Sequence, residues 1–480
     1  MKRIVILFVF LFSLPYLVEA GGIVTNANQS ASYVRMYARD ASLGIDAVYY
    51  NPAGLTQLSD GFYFSLNNQT IFQNKTITSE YPLLNNSEYK GDVSAPFFPG
   101  VYAVYKKNKL AISFGFNPVG GGGGAKYDTG LPSFIVPISN LVPMLQSSLT
   151  PIDEGIESAT GDDPGFSNIS GYSVDAFFEG TSVYFGYQLN ASYELFEGFS
   201  MALGARYVAA KNTYNGHLKD VEIIAPTAYG GAQTAGDYLR LVASTSGLDA
   251  TTVGTLQGTA AALDVQTADL EVDVIQKASA FTPIIGFNYS SSEKFNVALK
   301  YEFKTALEFE NETSSGDALY PDGDKFSYDI PAVLAGGIGY KALDNLKFST
   351  GFHYYFDKSA DWEGLEEEVD NNYWEWALGM EYDITDKVLI SAGYLRAQTG
   401  VGQGYQTDLS YSLSSNTVGF GGKLAVSPTI DMNLGVSYTM YEDGDKTITD
   451  PSTGIEYKEL YDKDALIFAI GFDLRLGGGE

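Results

Sequence analysis

The sequence predicts an all-β protein, a fourteen-stranded antiparallel transmembrane β-barrel. Three observations predict it. Apolar and polar residues alternate with period two in many segments. After the first 20 residues no run of roughly 18 or more apolar residues exists, so helices cannot make the crossing and strands can. Short and long connections alternate between the strand candidates, as a barrel with tight turns on one side and loops on the other requires. The whole chain has 480 residues.

The elements follow in order. Lys2 and Arg3 precede an apolar stretch from Ile4 to Val18, and Val18-Glu19-Ala20 ends in the small-x-small manner of a cleavage site. Residues 1–20 therefore read as a secretory signal peptide. Residues 21–60 are small and polar, lack clean alternation, and are long for a plain terminus. They read as a tail or as a plug in the lumen. Residues 61–480 read as the barrel; fourteen strands leave an interior that their own side chains do not fill, so something must occupy it or the protein is an open porin.

The alternation is clearest from Phe295 to Glu310. Odd positions carry Phe, Val, Leu, Tyr, Phe, Thr, Leu and Phe; even positions carry Asn, Ala, Lys, Glu, Lys, Ala, Glu and Glu. Successive strand side chains point to opposite faces, so one face is greasy and the other charged. The expected strands are 61–73, 97–106, 108–118, 180–194, 198–216, 269–290, 293–311, 324–342, 344–358, 371–385, 387–400, 405–426, 428–442 and 460–476. An even count closes without a free edge. Tight turns are expected at Lys106–Lys109, Phe196–Gly198, Ser291–Glu293, Leu343–Asn345, Thr385-Asp386 and Ser427-Pro428. The long connections, notably 119–179 and 217–268, would be extracellular loops of a protein in the outer membrane of a Gram-negative cell.

Composition agrees. Tyr numbers 35, Phe 29, Gly 52 and Cys zero. The lack of cysteine excludes disulfides and thiolate metal sites. The net charge of −29 argues against nucleic acid as a partner. Acidic residues would lie in loops and lumen, beside membrane lipid and lipopolysaccharide. His217 and His353 are the only histidines. No catalytic constellation, metal site or cofactor is indicated. Asp322-Gly323-Asp324 and Glu442–Asp445 lack the spaced ligand set of a calcium loop and read as turns.

The segment Asn28–Ala41, followed by Asp46–Leu55, resembles the N-terminal plug of the FadL/TodX/OmpP1 family of outer-membrane transporters. Asn51-Pro52-Ala53-Gly54 matches the family's hallmark run, and Arg35 and Tyr37 keep its Arg-x-Tyr spacing. The resemblance implies a fourteen-stranded barrel holding residues 21–60 as a plug. It implies passive carriage of long-chain fatty acids or other hydrophobic molecules. One departure is the end of the chain: Phe472 is the last aromatic, whereas such barrels usually end on one.

Two further regions stand out. Gly115-Phe116-Asn117-Pro118 precedes a glycine run, where proline lacks a ladder donor, so a kink is expected in the third strand. In the family such a kink opens the wall for sideways release. Phe134, Ile138, Leu141 and Leu145 would share one face of a short helix limited by Pro137 and Pro143, and Leu256, Ala260 and Leu263 would do so in a second. These helices would form a ligand-capturing groove or pack on the rim. Expected lumen cations are Arg206, Lys300, Lys304 and Arg475, with Arg35 and Arg39 in the plug; Lys300, Glu302 and Lys304 read as an internal charge ladder. The expected molecule is a monomeric transporter of hydrophobic small molecules and not an enzyme. The alternatives are a non-transporting interaction or secretion-scaffold protein on the same barrel, and a general diffusion porin.

Overall fold

The structure, a computed structural model, describes residues 23–477 other than 293. The expected signal segment, 1–20, lies outside the described residues. Among these residues fourteen antiparallel strands close into a barrel. They are β1 (Gly61–Ser79), β2 (Glu88–Lys107), β3 (Leu110–Tyr127), β4 (Gly171–Phe196), β5 (Phe199–Ile224), β6 (Leu270–Ser292), β7 (Phe295–Glu302 and Glu308–Ser315), β8 (Lys325–Ser327 and Val333–Leu343), β9 (Leu346–Tyr355), β10 (Trp374–Thr385), β11 (Val388–Gln398), β12 (Ser415–Ser427), β13 (Ile430–Tyr441, extended by Gly444–Thr449) and β14 (Glu456–Leu476). Each pairs with its neighbours in sequence, and β14 returns to β1 from Phe62↔Leu476 to Ser79↔Glu459.

The greasy face of each strand points outward. Leu66, Leu189, Leu203, Leu299, Phe348, Leu378, Phe420, Leu434 and Phe468 are all exposed on the wall. Lipid is the environment that makes such a surface stable. Phe62, Tyr105, Tyr193, Tyr289, Tyr340 and Tyr382 ring the end with the tight turns, where amphipathic rings favour the interface. Among the described residues no helix is long and apolar enough to cross a membrane.

The strands differ from expectation in instructive places. β7 and β8 are both broken. β6 carries Pro283 opposite the β7 break and β8 carries Pro331, and neither proline can donate to a ladder. Phe303 N–H still reaches the Pro283 carbonyl at 3.1 Å, and Thr305 bridges Ile330 alone. The irregularity reverses the facing of the chain. Phe295, Leu299 and Phe303 face lipid, whereas Thr305, Leu307 and Phe309 are buried inside. A one-residue slip exchanges the faces of a strand, although the sequence alternates without interruption. β12 begins at Ser415 rather than 405. Residues 399–414 instead fold over the mouth and bury Tyr405, Leu409, Tyr411 and Leu413.

The outer loops run over 128–170 and 225–269, shorter than expected because β3, β4 and β5 extend beyond the membrane. They hold α3 (Pro132–Ser139), α4 (Leu141–Thr160), α5 (Ala235–Ala243) and α6 (Ala250–Gln266), which follow the plug helices α1 (Ala31–Arg35) and α2 (Ala47–Tyr50). Pro143 falls in the first turn of α4, where its missing N–H costs nothing, and Pro151 does not end the helix.

Candidate functional site: a plugged lumen with a broken wall

Residues 23–56 lie inside the barrel, nearly all buried. Ser30 caps α1 by accepting Tyr33 N–H at 3.1 Å. Asn51 ends α2 and begins a 3-10 turn, Pro52–Gln57. Its Oδ1 accepts Ala53 N–H at 3.2 Å, and its Nδ2 donates to the Phe287 carbonyl of β6 at 2.8 Å. Pro52 stands where its missing donor is harmless. A Cβ on Gly54 would lie 2.5 Å from the Ser42 carbonyl, so only glycine fits the fold-back there.

A short plug has backbone groups that no secondary structure satisfies, and the barrel supplies partners for them. Gln188 Nε2 donates to the Val48 carbonyl at 2.8 Å, Lys300 Nζ to the Tyr49 carbonyl at 2.9 Å, and Ser192 Oγ to the Pro52 carbonyl at 2.7 Å. On the opposite wall the plug backbone lies against lumen glycines. Gly379, Gly393 and Gly419 are successive cross-strand partners on β10, β11 and β12. A Cβ on Gly393 would meet Tyr37 N at 2.7 Å and Met36 Cα at 2.8 Å. Tyr33 stacks on Tyr50 with ring centroids 5.3 Å apart, and both rings are buried. Each such aromatic contributes roughly 1.5–3 kcal/mol by burial.

Charge completes the seam. Arg35 donates to Glu381 at 2.9 Å and to Ser391 at 2.8 Å. Arg39 grips Asp46 at 2.7 and 2.9 Å and lies 3.5 Å from Glu381. Burial alone would raise the Asp46 carboxyl; Arg39 and Ser42 outweigh it and hold it below its ordinary value. His353 lies between Asp40 of the plug and Glu375 of β10, 2.7 Å from each. The other expected lumen cations are also committed. Arg206 and Lys300 both meet Glu302, at 2.6 and 2.5 Å. Lys304 does not join that ladder: the reversal in β7 turns it outward, and it pairs with Asp329 at 2.5 Å. Arg475 lies over the Tyr63 ring.

The plug divides the lumen in two. On the loop side is a mainly apolar cavity of about 930 Å³, counting all space between atoms and the open ends. Ile71, Val93, Phe98, Leu395, Leu413 and Ile467 are among its walls, and Asn26, Asn28, Tyr33 and Tyr37 form its floor. On the turn side is a polar vestibule lined by Arg35, Arg39, Lys347, Asp46, Glu381, Asp431, Asp473 and Arg475 among others.

The cavity reaches a break in the wall. β2 pairs with β3 from Leu110 to Phe116, then not again until Asp92↔Lys126. β3 does not end at Pro118, as expected; it continues to Tyr127, with register shifts against β4 between Pro118 and Gly123. Val93, Ala95 and Phe98 of β2 and Gly121 and Gly122 of β3 line both cavity and break. The N-terminal segment takes over part of the lost ladder. Asn26 N–H donates to the Val119 carbonyl at 2.9 Å and Gly121 N–H to the Val24 carbonyl at 3.3 Å. Asn117 donates to the Tyr102 hydroxyl at 3.0 Å. Gly115 packs against Val48, and Phe116 stacks outside on Phe185. On the lipid side β2 bulges at Pro96–Pro99. Asn68 and Thr70, polar residues on the apolar face of β1, satisfy it through the Pro96 carbonyl and Phe98 N–H. Phe97 stands there 80% exposed. Pro99 inside the expected strand 97–106, with Pro96 just before it, was the available signal for this bulge.

Phe134, Ile138, Leu141 and Leu145 come together with Leu256, Ala260 and Leu263, but as the buried interior of the loop cap. A smaller recess beside them is bounded by Phe134, Phe177, His217 and Val272. Of the floor residues, Asn28, Tyr33 and Tyr37 fall in the plug-like segment Asn28–Ala41, whereas Asn26, and Glu375 beside them, carried no local motif.

No family model matches the sequence, and no curated protein matches it. Solved structures do. The chain is similar to the crystal structure of a Pseudomonas aeruginosa FadL homologue, with 12% identity over 95% of this chain and 99% of that one and a TM-score of 0.61. It is similar to the P. putida toluene transporter TodX, with 14% identity over 91% and 95% and a TM-score of 0.54. With its lumen plug, broken wall and lipid-facing belt, this chain has the fold of the FadL-type outer-membrane barrels.

Proposed function

We propose that the protein is a passive outer-membrane conduit for hydrophobic molecules. Long-chain fatty acids and hydrocarbons are the substrate classes considered first. The carrying observation is the continuity of the apolar cavity with the β2–β3 break. A hydrophobic molecule entering under the loop cap finds apolar walls as far as the membrane. On the other side of the plug it meets buried ion pairs. Exit through the break into the bilayer is therefore the lower path, and partition down a gradient drives it. Nothing in this route calls for a catalytic group. The filled lumen speaks against a general diffusion porin, and a scaffold protein has no need of a cavity joined to a wall break. The neighbours support the reading through the toluene transporter and the FadL homologue.

The test is uptake of radiolabelled oleate and toluene by a host without its own transporter, with and without this chain. A Gly122→Trp variant, placed to fill the break, runs beside it after outer-membrane insertion is checked. Uptake that requires the chain and falls at least tenfold in the variant supports lateral release. Full uptake in the variant sinks that route.

A further inference from the structure

We infer that the lumen cavity selects an uncharged apolar molecule carrying a hydroxyl donor, such as an alcohol or a phenol, over a carboxylate. This rests on the transport reading above and narrows its substrate class.

The described residues offer the cavity no cationic donor; its own donors are neutral, the hydroxyls of four tyrosines, one serine and two threonines and the Gln73 amide. Among the described residues that line it there is no lysine, arginine or histidine, and Glu375 is its one ionisable acid. Three shielded oxygens at its edge meet no donor from the described protein: Asn26 Oδ1, Asn28 Oδ1 and Glu375 Oε1. Their residues are 1%, 6% and 1% exposed. The amides cannot be turned round to cure this. Asn26 Nδ2 is held by the Gly121 carbonyl at 2.9 Å. Asn28 Nδ2 is held by Gln69 Oε1 at 3.1 Å, and Gln69 Nε2 is committed to the Asn28 carbonyl. Reversal would set oxygen against oxygen.

Glu375 is fixed in the same way. His353 Nδ1 and the Tyr355 hydroxyl both meet its Oε2, at 2.7 and 3.0 Å. Oε1 is left over. The imidazole is shared with Asp40, so it can offset only one of two carboxylates. The nearest cations along the ladder are Lys75 and Lys463, cross-strand partners two residues beyond Gln73 and Ala465. They face the rings of Tyr411 and Tyr441, 5.6 and 4.3 Å from the centroids, and do not line the cavity. A carboxylate would bring more acceptors beside a carboxylate. A hydroxyl brings the missing donor. Sites whose buried polar groups are completed by a substrate hydroxyl discriminate strongly against analogues that lack it.

The experiment uses three compounds with one apolar body: 4-butylphenol, butylbenzene and 4-butylbenzoate. Their binding to the purified full chain in detergent is measured at pH 7 by equilibrium dialysis, with empty micelles as the control. The phenol is expected to bind about tenfold more tightly than the hydrocarbon, and the benzoate least. In Glu375→Gln the benzoate gains affinity at least fivefold while the phenol changes less than threefold. Should that variant not assemble, Asn28→Ala serves: it weakens the phenol severalfold and leaves the hydrocarbon unchanged. Benzoate binding as well as the phenol, or phenol no better than butylbenzene, overturns the inference alone. Failure of all three to bind above the micelle control overturns it together with the transport reading.

Discussion

The two chambers of this lumen are separated by one thin plug, yet they are built from opposite chemistry. The chamber under the loops has apolar walls and a single acid. The chamber over the turns has five basic and four acidic side chains within one vestibule. Water fits the second and is poorly held in the first. A molecule that prefers the upper chamber has nothing to gain by passing the plug. The plug is therefore less a door between chambers than the floor of one of them, and the wall break is the way out. This view requires the floor to be tight.

The largest test of that tightness is Glu381→Leu. Glu381 holds Arg35 at 2.9 Å and lies 3.5 Å from Arg39, and all three are shielded. Removing one partner of a buried pair strands the others and costs about 3–5 kcal/mol. The variant is expected to insert as a barrel but to lose hydrogen-exchange protection over residues 31–57, and to pass ions in a planar bilayer where the parent does not. A variant that stays non-conducting with a protected plug would show that packing alone seals the floor.

How much of this was legible in the sequence depends on how local the cause is. The strands were legible because each must alternate for its own sake: Leu434 faces lipid and Asn433 faces the lumen whatever the neighbours do. The capping by Asn51 was legible because Asn-Pro-Ala-Gly carries its own turn chemistry. The reversal within β7 was not, since Phe303 through Phe309 alternate without a flaw and only Pro283 and Pro331, on other strands, break the ladder around them. The cavity was least legible. Asn26, Asn28 and Glu375 are brought together by closure of the barrel around the plug, and nothing near any of them announces it. Phe134, Ile138, Leu141 and Leu145 show the converse: an apolar helical stripe reads the same whether it lines a groove or fills a core, and here it fills one.

A second, smaller effect concerns the wall of the upper chamber. Asp357, in the loop between β9 and β10, is fully buried, and its Oδ1 has no donor among the described residues. Its Oδ2 accepts Tyr373 N–H at 2.8 Å, and Tyr373 lines the cavity. Burial pushes the carboxyl up to about 6. A carboxyl raised in the folded state holds its proton more tightly there than in the unfolded chain. Its contribution is thus fully present below about pH 4 and is lost as pH rises through about 6. The loss is up to about 3 kcal/mol, confined to this loop. Exchange of the Tyr373 amide, corrected for its intrinsic rate, should speed up between pH 4 and 7 in the parent and stay level in Asp357→Asn. A level parent would mean that the upper wall does not feel this charge.

The smallest effect sharpens the comparison most. Asn51 lines neither chamber, and its two bonds join the plug to itself and to β6. Asn51→Ala removes a cap and leaves the Phe287 carbonyl without its side-chain donor, a loss of about 1–2 kcal/mol. The amides of residues 53–57 should exchange roughly tenfold faster at that cost. Because the Asn51 side chain bonds to Phe287 and Ala53 and not to the cavity floor at Asn26 and Asn28, affinity for an apolar ligand should change less than twofold. Affinity that falls in step with the exchange rates would mean that the 3-10 turn and the cavity floor move together. The plug would then act as one body, able to carry news of an occupied upper chamber to the vestibule below.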